Sequence, residues 1–100
     1  MAVISVTTLT VGPGWDQFMD DQKKAKAILE KHGAKNVRLL AEVAGSVPSG
    51  TVHSTFEADD LGSLGKVLDA VYADPEILGM MQDSAAASWT SSILGEIPLT

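Results

Sequence analysis

The order in which strand-like and helix-like segments follow one another constrains this 100-residue chain more than any single motif in it. Residues 2–11 (AVISVTTLTV) are rich in β-branched types and end at Gly12-Pro13-Gly14, which cannot continue a ladder. From Asp16 to His32 the composition turns to helix formers, with Phe18, Ala25, Ile28, Leu29 and His32 recurring at helical spacings. Asp16 is expected as the N-cap and Gly33 as the residue that ends this helix. Residues 36–44 (NVRLLAEVA) alternate again, the Gly- and Ser-bearing stretch 45–50 reads as a loop, and 51–57 (TVHSTFE) reads as a third strand. Asp59-Asp60 then opens a helix carrying Leu61, Leu64, Leu68, Val71 and Tyr72, in which Gly62 and Gly65 are expected to permit close packing on a sheet. Asp74-Pro75-Glu76 starts a third helix. Residues 88–99 form a last strand, broken near Gly95 and Pro98 and so expected at an edge.

The resulting order, β-α-β-β-α-(α)-β, is the ferredoxin-like α+β arrangement: one domain over residues 1–100, built on a four-stranded antiparallel sheet. Right-handed crossovers put both long helices on one face of the sheet and leave the other bare. At 45% hydrophobic the chain is too apolar for a disordered segment, and without cysteine it has neither disulfides nor thiolate metal sites. Seven basic residues against thirteen acidic ones give a net charge of -6, the wrong sign for gripping nucleic acid. No apolar run approaches the ~20 residues that span a bilayer, and the start lacks a basic leader region, so a cytoplasmic protein away from membranes is expected.

Strand alternation suggests that Ile4, Val6, Val37, Leu39, Val52 and Phe56 face the helices. The bare face would then hold Val3, Ser5, Thr7, Leu9, Arg38, Leu40, Glu42, His53 and Thr55, a mixture less polar than a solvated sheet face usually is. Such a face suits packing against a second copy, as a homodimer enclosing a partly polar cavity. With this element order, the segments KHGAKNVRLLAEVAG (31–45) and YADPEILGMM (72–81) make the chain resemble the dimeric α+β barrel superfamily. Within it the chain resembles the small single-domain proteins grouped with antibiotic-biosynthesis monooxygenases, EthD-like and NIPSNAP-like domains. The resemblance implies two sheets facing across a two-fold axis, with a ligand cavity under each protomer's helices or between the sheets.

Among residues with chemistry, His53 lies mid-strand where a neutral imidazole could act as general base; the plainer reading is an interface histidine making one hydrogen bond. Arg38, the chain's one arginine, could hold an oxyanion or simply pair with Glu42, and Glu42 could be a base if apolar neighbours surround it. Ser5, Thr7, Leu40, Thr55 and Trp89 are the expected cavity lining, while Trp15, Phe18 and Tyr72 belong to the core or an aromatic wall. His32 closes its helix as a C-terminal charge partner. Asp16, Asp20 and Asp21 read as helix-start residues rather than a metal site, and the glycines form no phosphate loop, so no cofactor or metal is expected. The expected function is binding of a small apolar or aromatic molecule; if the protein is an enzyme, its expected chemistry is cofactor-free oxygenation, cyclisation or isomerisation. The alternative is a non-catalytic binding or assembly module whose barrel is filled by side chains.

Overall fold

Each expected segment forms in the computed structural model, which describes residues 2–11, 13–45, 50–82 and 86–99. Gly12 of the first turn and positions 46–49 of the expected loop lie outside the described residues. The elements are β1 (Val3–Val11), α1 (Trp15–Lys31), β2 (Lys35–Ala41), β3 (Thr51–Ala58), α2 (Leu61–Tyr72), α3 (Pro75–Gln82) and β4 (Ala86–Gly95). They build an antiparallel sheet of order β2-β3-β1-β4, the ferredoxin-like α+β fold, with β4 at an edge as expected. No described helix is long and apolar enough to cross a membrane.

The helix ends follow local chemistry. Asp60 caps α2 by accepting from the Ser63 N–H at 2.7 Å, and Asp74 caps α3 by accepting from the Glu76 N–H at 2.9 Å. The start of α1 differs from expectation. Gly14, at φ 98°, is its N-cap and accepts the Phe18 N–H at 3.0 Å, so Asp16 falls inside the first turn, where its charge still faces the positive end of the helix dipole. His32 is the C-cap, and its Nε2 lies 3.6 Å from Asp74 Oδ2, an ion pair when the ring is protonated; it ties the end of α1 to the start of α3.

The core lies between the helices and one face of the sheet. Val3, Phe56 and Ala58 meet Ile28 and Leu29 of α1, Leu64, Val67 and Val71 of α2, and Ile77 of α3, while Leu9, Val11 and Val52 gather around Phe18. This corrects the expected parity of the first strand. Val3, Ser5, Thr7 and Leu9 face the helices and Ile4 and Val6 face away, because β1 pairs Val3 with Ala58 and Ser5 with Phe56. Strands β2 and β3 keep the expected sides, with Val37 and Leu39 packed against the core and Leu40 across from His53 on the open face. A register shift between Lys35 and Arg38, with Asn36 at φ 51°, bends the start of β2. The strand ends at Ala41, earlier than expected, with a final rung from the Glu42 N–H to the Thr51 carbonyl, and Val43 beyond it is 97% exposed.

The expected role for the α2 glycines is not met. A Cβ on Gly65 would find open space, and one on Gly62 would meet only the Asp60 carboxylate, at 3.5 Å. Gly65→Ala therefore removes backbone freedom from the unfolded chain without a clash, and should raise stability by about 0.5–1 kcal/mol in denaturant titration. The Ser63 backbone N–H, with help from its hydroxyl, holds the Asp60 carboxyl below its usual range. The folded chain thus binds a proton here less readily than the unfolded chain. The stabilisation is complete above the ordinary aspartate range and is lost as pH falls through the lowered folded value. Melting curves between about pH 5 and 2 should fall more steeply for the wild type than for Asp60→Asn, whose amide caps without titrating.

Candidate functional site

The middle of the helix-facing sheet surface is unusually low. Strand pairing places Ser54, Thr7 and Ser91 side by side across β3, β1 and β4, with the Thr7 and Ser91 hydroxyls 3.1 Å apart, and the next row runs Phe56, Ser5, Ile93. Small hydroxylated side chains where a packed sheet would carry Leu or Ile leave a space the helices do not fill. The result is a cavity of about 560 Å³ between sheet and helices. Ser5, Thr7, Leu9, Ser54, Phe56, Ser91 and Ile93 line its floor. Its walls are Phe18, Asp21, Gln22, Ala25 and Leu29 from α1, Leu68, Val71 and Tyr72 from α2, and Ile77 and Met80 from α3.

Of the expected lining residues, Ser5 and Thr7 border this space, but on the helix-covered side of the sheet and not on the bare one. Leu40 and Thr55 stand on the bare face and do not border it. The Trp89 backbone pairs with Leu9 in β4, and its side chain lies outside the described residues. Phe18 and Tyr72 form part of the wall, whereas Trp15, 46% exposed, leans on Phe18 from outside with ring centroids 5.7 Å apart. Sequence reasoning did not single out Ser54, Ser91 or Gln22 as lining, and took Asp21 for a helix-start residue only. The signal was present in the serines at paired positions, but it becomes readable only once the register of three strands is known.

The bare face holds a different arrangement. His53 projects from β3 between Thr8 of β1 and Glu42 just past β2. Thr8 Oγ1 lies 3.0 Å from His53 Nδ1, and His53 Nε2 lies 2.9 Å from Glu42 Oε1. A carboxylate only accepts, so Nε2 carries the proton toward Glu42, and in the neutral ring Nδ1 accepts the Thr8 hydroxyl proton. The ring is thereby fixed in one tautomer and one orientation. Glu42 meets His53 rather than Arg38. Arg38 is opposite Thr55 in the ladder and also borders a smaller cavity of about 130 Å³ beside Lys23 and Lys26. The three candidate catalytic residues therefore sit on the side of the sheet away from the larger cavity or at its β2 edge, and none of them lines that cavity.

Comparison with solved structures gives the same fold throughout. A NIPSNAP family protein from Agrobacterium tumefaciens superposes with TM-score 0.78 at 11% identity, covering 99% of this chain and 89% of that one. A NIPSNAP-like domain protein from Burkholderia xenovorans gives 0.75 at 12%, covering 99% and 88%. SnoaB, a cofactor-independent oxygenase from Streptomyces nogalater, gives 0.73 at 15%, covering 95% and 92%. No protein-family model and no curated protein matches the sequence. At these identities the likeness is one of fold, and it agrees with the single-chain ferredoxin-like α+β architecture expected from the sequence.

Proposed function

We propose that the chain works as a homodimer with its sheets face to face, and that each protomer holds a small, mostly apolar molecule between its own helices and sheet. The cavity carries this reading. Its volume of about 560 Å³ falls in the ~300–1,000 Å³ usual for ligand sites. Apolar walls, three aromatic rings (Phe18, Phe56, Tyr72) and a few hydroxyls on the floor match the composition of such sites. For self-association the support is the open face, where Leu40 and Leu94 are 43% and 52% exposed beside Ile4 and Val6. Ile97 and Leu99, past β4, are almost wholly exposed as well.

A second reading, cofactor-free proton transfer, draws on the Thr8–His53–Glu42 chain and on the likeness to SnoaB, a cofactor-independent oxygenase. In it His53 is the base, Glu42 orients the ring, and Arg38 holds developing negative charge in a space enclosed by two facing sheets. Side chains filling that space would leave a non-catalytic barrel in its place.

A thermal-shift screen of small aromatic and alkyl compounds tests the binding. Hits should raise the melting temperature of the wild type and of His53→Ala alike, and should lose their effect in Ala25→Phe, which places a ring inside the cavity. Hits that survive Ala25→Phe, or a screen without hits, would overturn the reading. The dimer is tested by sedimentation at micromolar concentration, where the expected species has twice the 10.5 kDa of the chain. Leu40→Glu with Leu94→Glu should give a folded monomer, and a wild-type monomer would refute self-association.

A further inference from the structure

Electric charge is distributed unevenly around α1. Of the described side chains lining the larger cavity, Asp21 alone is formally charged, and none is a lysine, arginine or histidine. The cations of the same region, Lys23, Lys26 and Arg38, border the smaller cavity instead. Gln22, Ala25, Leu29 and Ser54 border both and form the wall between them. The separation follows from helical geometry, since 100° per residue turns positions 18 and 21 to one flank and 19, 23 and 26 to the other. Lys26 is further drawn away by Glu30, 3.8 Å distant one turn on.

We propose that the larger cavity selects apolar molecules carrying a positive charge or none over their anionic counterparts, and that Asp21 sets this preference. The inference rests on the binding reading above and adds a chemical class to it. Asp21 is half-buried at the cavity wall and receives one hydrogen bond, from Gln17 Nε2 at 2.9 Å, which leaves its carboxylate capacity to accept from an ammonium group. The floor hydroxyls donate and accept equally and do not discriminate by sign. An anionic group entering here would lose hydration beside a like charge with no cation to replace the lost water, inside a chain of net charge -6. An ammonium group would exchange water for a carboxylate.

Calorimetric titration with decylamine, decanol and decanoate, at neutral pH and below their micellar concentrations, separates the possibilities. Decylamine should bind the wild type roughly tenfold more tightly than decanoate, with the gap narrowing as salt is added. Asp21→Asn should bring the two within about twofold, and its binding of decanol reports that the cavity is intact. Decanol binding with amine and acid equal, or with the acid preferred, would overturn the charge preference and leave the cavity reading standing. Decanoate binding that is abolished by Arg38→Gln would assign anions to the smaller cavity and, if tighter than decylamine, likewise overturn it. If none of the three binds, the cavity reading falls and this inference with it.

Discussion

Side chains of a β-strand alternate between two faces, and here helices cover only one of them, so the parity of the central strand β1 decides what every other residue can do. Because β1 is paired on both sides, its parity is transmitted to β3 and, from Val3 to Thr10, to β4. Placing Val3, Leu9 and Val11 under the helices also places Ser5 and Thr7 there, and with them Ser54 and Ser91. The same parity sends Thr8 to the other side, where it meets His53. A one-residue slip would exchange the cavity floor for the open face.

Much of this architecture was legible in residue order. The caps at Asp60 and Asp74 and the glycine at 33 are local signals that need no tertiary information, and they mark real helix ends. The parity of β1 was not legible, because Ile4 and Val6 argue for one face and Val3, Leu9 and Val11 for the other. The pairing partners settle it: the large Phe56 ring sits across from the small Ser5, a complementarity visible only in the folded sheet. The candidate site was legible in part. His53 and Glu42 were placed on a common face and do meet, but Thr8 joins them through the parity that sequence reasoning inverted. The α1 start was misread for a local reason, since a glycine in the left-handed region can take the N-cap position that a carboxylate would otherwise hold.

The two faces divide the chemistry. Beneath the helices the described residues place hydroxyls, aromatic rings and a single carboxylate around an unfilled volume, which suits recognition of a molecule's shape and sign. On the open face it has an oriented imidazole between a hydroxyl and a carboxylate, with Leu40 across from it in the ladder. Histidine on such a face stays hydrogen-bonded through both nitrogens, so covering it does not strand a polar group.

The kink at the head of β2 bears on how copies of this chain can meet. Strands at the rim of a sheet offer unpaired backbone groups, and a long flat rim invites another chain to add on, rim to rim, without limit. Here the β2 rim is short, carries Lys35 and Arg38, and is bent where Asn36 adopts φ 51°. Just beyond the β4 rim stands Pro98, which has no N–H to offer. Rim-to-rim growth is thereby discouraged at the β2 margin, and the homodimer proposed above uses the broad face of the sheet instead.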